Sequence, residues 1–125
     1  MNDKRPVNLH FISWFPVTAL VSILHRMSGV ALYAGTAVLL WVLSASLESE
    51  ASFIALQDAL ANPFCQFVLW ATLAALAYHL VAGLRHMIMD FGIGEELKSG
   101  RFGAQITLFL AAVLIILAGV WVWVW

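Results

Sequence analysis

The chain has 125 residues, 63% of them hydrophobic and 10% charged, with a mean hydropathy of +0.94. Soluble domains sit near half apolar and a quarter charged, so these values exclude a water-soluble globular domain and indicate an all-α membrane protein. A net charge of −1 from six basic and seven acidic residues says little by itself, no nucleic-acid partner is expected, and the lone Cys65 cannot close an intramolecular disulfide.

Residues 1–19 read as an amphipathic segment at the headgroup level. Phe11, Trp14 and Phe15 favour that zone, Pro16 suits a first helical turn, and His10 is expected to be solvated. A first span follows at about 20–47. Its entrance, VSILHRMSG, sets Ser22, His25, Arg26 and Gly29 on one helical face by steps of three, one and three. Two readings stay open for these polar groups. In one, Arg26 snorkels to lipid phosphate and His25 bonds a neighbouring helix. In the other, the hydroxyl and guanidinium point at the oxygens of a ligand entering from the bilayer. Gly29 and Gly35 are six apart, which is not the G-x-x-x-G spacing of a helix dimer. A cleavable signal peptide is not expected, because the apolar run is long and carries His25 and Arg26 at its start. Residues 47–62, with Glu48, Glu50 and Asp58, form a short acidic connection, partly helical across 51–61.

Pro63 opens a second span, at about 63–90. Steps of four, three and four place His79, Gly83, His86 and Asp90 on one face, so Gly83 leaves room between two imidazoles for a flat ligand or a neighbouring helix. An ionisable side chain at the depth of His79 marks a functional site by default. It could bond across helices, relay protons or ligate haem iron. If the first two spans are antiparallel, His25 lies nine residues in from Pro16, while His86 and His79 lie four and eleven in from Asp90. His79 and His86 then differ in depth by about 10 Å and cannot share one iron. A second axial ligand would have to come from another subunit. His25, beside Arg26, suits the watery edge where haem propionates lie. Asp90 either pairs with Arg85, Lys98 or Arg26 or delivers protons to a bound acceptor.

Residues 92–103 read as a polar turn, and the third span, about 104–125, is uncharged and ends in VWVWVW, which suits the aromatic belt. All six basic residues fall at the amino-terminal end of the first span or around the second connection, and none in the acidic first one. The positive-inside rule then makes the amino terminus cytoplasmic and the carboxyl terminus periplasmic. The expected whole is a single membrane-anchor domain, 1–125, with three transmembrane helices.

The runs RPVNL, SILHRMSG (22–29) and AYHLVAGLRHMIMDFG (77–92) closely resemble the cytochrome b membrane anchor of bacterial succinate dehydrogenase. The resemblance covers essentially the whole chain. It implies a multi-pass protein of the bacterial inner membrane, assembled with a flavoprotein, an iron-sulfur subunit and a second small anchor. It further implies that His79 is one axial ligand of a haem b whose other ligand comes from the second anchor, and that Ser22 and Arg26 border the ubiquinone site. His25 would lie near the haem propionates, with His86 in the haem vicinity and Asp90 a proton donor. Rival expectations are a fumarate reductase anchor working with menaquinol, or a structural anchor or transporter subunit with no redox group.

Overall fold

The computed structural model describes residues 16–124, which form four helices. Most of the interfacial segment, with His10, and the terminal Trp125 lie outside the described residues. Helix α1 (Val17–Glu48), α3 (Pro63–Asp90) and α4 (Leu97–Val124) are each long and apolar enough to cross a membrane. Their 32, 28 and 28 residues extend beyond the roughly 30 Å of hydrocarbon a span must cross. The short α2 (Glu50–Leu60) links α1 to α3.

Local chemistry fixes the breaks. Ser49, extended at φ −164°, ends α1 and caps α2 through a reciprocal pair of bonds with Ser52. Asn62 caps α3 by accepting from the Phe64 amide at 2.9 Å, with Pro63 at the first helical position. The turn from α3 to α4 needs two residues at positive φ, supplied by Gly92 (78°) and Gly94 (84°).

Helix α3 is central, packing against both α1 and α4. Contacts run in opposite order along α1 and α3: His25 meets His86, Ser28 meets His79 and Gly35 meets Thr72, so the two are antiparallel. Trp70 against Ile115 and Arg85 against Gly100 make α3 and α4 antiparallel too. The buried residues of α1 are Val21, Ser28 and Gly35, seven apart, which keeps one seam on a partner helix. On α4 the seam is Gly100, Ala104, Thr107 and Ala111, small side chains that allow close backbone approach. A Cβ at Gly35 would sit 2.8 Å from Thr72 Cγ2. Buried hydroxyls are returned to the backbone: Thr72 donates to Val68 O and Thr107 to Gly103 O, each at 2.9 Å. Much of the remaining apolar surface faces outward, including Val30, Tyr33 and Phe109, as expected where the solvent is lipid or another membrane chain.

One boundary differs from the sequence reading. Residues 97–103, expected as part of the polar turn, are the first two turns of α4. Helical bonding starts at Gly100, whose amide donates to Glu96 O at 2.7 Å, and Arg85 Nη2 donates across to Gly100 O at 3.2 Å. Lys98, Ser99 and Arg101 are polar because this part of the helix extends past the apolar span, and glycine at 100 lets it press against the Gly94 carbonyl.

Tyr78 is 9% exposed, and its hydroxyl donates to Val21 O at 3.0 Å, a side-chain bond from α3 to the backbone of α1. Tyr78→Phe removes this bond without opening a cavity. Unfolding in a graded SDS titration is expected to shift by about 0.6 kcal/mol, and by no more than about 1.7 kcal/mol, the range for interhelical bonds in membranes.

Candidate functional site

At the end of the bundle that carries the α3–α4 turn, three imidazoles from two helices form a stack. His25 of α1 lies between His79 and His86 of α3, with ring centroids 4.3 Å and 4.8 Å away and each pair 24° from parallel. Residues 79 and 86 are two turns apart on α3, and the ring of His25 fills the interval between them. Gly83 gives it room: a Cβ there would lie 3.4 Å from His25 Nε2. The flat group admitted by that glycine is thus a side chain of the neighbouring helix. His25 Nε2 is itself buried without a hydrogen-bond partner.

The protonation pattern of His79 follows from its partners. The Ser28 hydroxyl donates to the His25 carbonyl at 2.8 Å. His79 Nδ1 lies 3.1 Å from Ser28 Oγ and 3.2 Å from that same carbonyl oxygen. A carbonyl only accepts, and the hydroxyl proton is already committed to it, so the hydrogen resides on Nδ1 and is shared between the two oxygens. Nε2 then carries the lone pair, and among the described residues neither of the ring's hydrogen bonds goes to it. Gly29 completes the seat, since a Cβ there would come within 3.0 Å of His79 Cε1. From Gly29 an open apolar groove of about 470 Å³ runs along α1 to Leu40, past Leu32, Tyr33 and Thr36.

His86 donates from Nδ1 to Ala82 O at 2.8 Å. It also lines a cavity of about 390 Å³ between α1, the turn and α4, together with Thr18, Ser22, Arg85, Glu95 and Glu96. His86 thus opens on the polar side chains of this cavity, while Gly29, beside His79, begins the apolar groove. Ser22 is half-buried in that cavity, whereas Arg26, one turn further along α1, is exposed and outside it. Asp90, the last residue of α3, is exposed and also outside the cavity. Arg85, one of its expected partners, reaches the Gly100 carbonyl. Among the described residues no three metal-ligating side chains converge on one point.

Sequence reasoning missed Ser28 and Gly29 as parts of the seat. Ser28 is 8% exposed and shares the seven-residue spacing of Val21 and Gly35, the signal that marks it as facing α3.

Residues 1–118 match the family described as Succinate dehydrogenase/Fumarate reductase transmembrane subunit. The chain belongs to that family. Among relatives, it is 38% identical to the succinate dehydrogenase cytochrome b556 subunit of Coxiella burnetii, covering 98% of this chain and 100% of the relative. It is 34% identical to the protein of the same name from Paracoccus denitrificans, over 91% and 88% of the two chains. The Rickettsia prowazekii counterpart is 32% identical, over 98% and 93%. The three long apolar helices thus belong to a membrane subunit of the succinate dehydrogenase type, and the histidine stack lies within its α1–α3 pair.

Proposed function

We propose that this chain, as the cytochrome b anchor of a bacterial succinate dehydrogenase, holds a haem b through His79 and borders a ubiquinone-reducing site through Ser22 and Arg26. The observation that carries the reading is the placing of His79 Nδ1 against Ser28 Oγ at 3.1 Å and the His25 carbonyl at 3.2 Å. The Nδ1–H is held by these two oxygens, which leaves the Nε2 lone pair for a metal. Ligating histidines characteristically donate their other N–H to a carbonyl or similar acceptor, which fixes the ring and raises its basicity. The residues fit haem in other respects too. Gly29 leaves clearance beside the ring, and the adjoining groove is apolar, as a porphyrin face requires. Among the described residues His25 stacks face-on against His79 and His86 lies beyond it, so neither ring opposes His79 across a gap, which suits an iron whose second ligand comes from a neighbouring anchor. The cytochrome b556 names of the relatives support the haem assignment.

A bound haem supplies a one-electron store inside the membrane. The chain's own side chains do the rest. His79 anchors, His25 packs its ring from one side with His86 behind it, and Ser22 hydrogen-bonds a quinone carbonyl from the wall of the polar cavity. Arg26 orients the quinone ring and stabilises negative charge developing on its oxygens. Electrons arrive from the iron-sulfur subunit, and two protons are taken up at the cytoplasmic side, with Asp90 as a donor at the water boundary. The basic residues Arg26, Arg85, Lys98 and Arg101 lie toward the end of the bundle that carries the α3–α4 turn, which supports placing that end in the cytoplasm and the carboxyl terminus in the periplasm.

Purification in mild detergent through a tag on this chain is expected to yield a flavoprotein, an iron-sulfur protein and a second small membrane chain. A reduced-minus-oxidised b-type band should accompany them. A chain that purifies alone and colourless overturns the proposal.

A further inference from the structure

We infer that Ser28 is a positioning residue for haem ligation, setting the tautomer and basicity of His79 from a helix that contributes no ligand itself. The inference rests on the reading of His79 as the iron ligand and adds a second residue to it.

Ser28 is 8% exposed, deep enough that its hydroxyl needs a partner. A serine in that position ordinarily bonds back to its own helix and does nothing more, as Thr72 and Thr107 do here. Ser28 too bonds back to its own helix, to the carbonyl three residues earlier rather than four, His25 O at 2.8 Å, yet its oxygen also lies 3.1 Å from His79 Nδ1, 51 residues away in sequence. The two bonds act together. Because the hydroxyl proton is spent on the carbonyl, only its lone pair faces the ring, so the oxygen accepts and never donates. A ring presenting Nε2–H instead would set the Nδ1 lone pair against both the carbonyl oxygen and the hydroxyl oxygen. That tautomer cannot ligate iron through Nε2, and Ser28 and the His25 carbonyl select against it. Gly29, the next residue, fixes where the ring lies, because any side chain there would press on Cε1. The consecutive pair Ser28-Gly29 therefore supplies one electronic and one steric constraint on the same imidazole.

Two consequences are measurable in the intact complex. An acceptor on Nδ1–H pushes electron density toward Nε2 and favours ferric over ferrous iron, so its loss raises the haem midpoint potential. Weaker orientation also weakens retention: loss of such outer-shell partners costs about 10- to 100-fold in metal affinity. Ser28→Ala, in complex purified from membranes, is expected to raise the midpoint potential in redox titration and to speed haem transfer to excess apomyoglobin by about tenfold or more. Thr107→Val is the control. It removes a buried hydroxyl bonded back to its own helix, at 3% exposure, on α4, and the one bond of that hydroxyl goes to Gly103 O rather than to a histidine. It should leave both quantities unchanged.

A Ser28→Ala complex with wild-type potential and wild-type haem release overturns the inference. Equal shifts in Ser28→Ala and Thr107→Val overturn it as well, since the effect would then be loosened packing. Failure of the underlying reading shows separately: a b-type band that survives His79→Leu removes the ligand itself, whatever Ser28→Ala does.

Discussion

His79→Leu is expected to abolish the b-type difference spectrum of the assembled complex, lowering bound haem by about 100-fold or more, beyond the loss typical for an outer-shell partner. The anchor should still fold. Leucine is favoured in a membrane span, and the bond from the Ser28 hydroxyl to His25 O survives the substitution, so no buried donor is orphaned. The structural cost is the His25–His79 stacking contact, about 0.5–1.5 kcal/mol for an aromatic pair. Succinate oxidation with an artificial dye, which bypasses the membrane chains, should continue. His86→Leu provides the contrast. That ring lies at the far side of His25, at the polar cavity, and its replacement should leave the band in place. An unchanged band in His79→Leu, in a complex of normal composition, would sink the assignment. Haem content by pyridine haemochrome and the optical spectrum of the same preparation decide it.

How far the sequence alone reaches is visible in these same residues. The spans were legible because uninterrupted apolar runs bounded by Pro63, by charged residues and by the Gly92–Gly94 turn have few other solutions in a bilayer. The position of His79 along its helix was legible too, since about 1.5 Å per residue converts its distance in sequence from the end at Asp90 into length once the helix is set. Helical periodicity names the face of one helix but carries no information about which residue of another helix meets it. The approach of His25 into the gap above Gly83, and of Ser28 onto His79, depends on the register between α1 and α3. That register follows from the Val21, Ser28 and Gly35 seam, whose members are chemically unlike and form no recognisable motif. The start of α4 was hidden for a different reason. Polar residues at 97–103 match loop composition as well as they match a helix emerging from hydrocarbon, and only the backbone bond from Gly100 to Glu96 separates the two.

The second large effect concerns Arg26. Arg26→Leu is expected to lower quinone reduction by about 10²- to 10³-fold, the loss found when a single charge-stabilising donor is removed from an active site. Haem absorbance and dye-linked succinate oxidation should be unaffected. Arg26 is the tenth residue of the 32-residue α1, about 15 Å along the helix axis from Pro16, and a guanidinium there bears part of the cost of about 2.5–3.5 kcal/mol that insertion scales assign to the centre of a span. Its side chain is exposed on this chain, so it contributes little packing that would offset the cost, and leucine there opens no cavity. A charge kept at such a depth on an outward face implies a partner supplied from outside the chain, and the neighbouring Ser22 in the polar cavity shows where polar ligand atoms can be met. Arg26→Lys separates the two roles of the group. It keeps the charge but loses the planar fork, so electrostatic stabilisation should survive in part while orientation is lost. Steady-state kinetics with a soluble quinone read the difference: a fall in kcat marks an interaction made in the transition state, and a rise in KM alone marks one made equally with bound substrate. Ser22→Ala, which removes a neutral donor, should cost less than Arg26→Leu, because bonds involving a charged group are about twice as strong. Wild-type quinone turnover in Arg26→Leu would take Arg26 out of the site and leave the cavity bounded by Ser22, Arg85 and His86 as the place where the quinone oxygens must be bound.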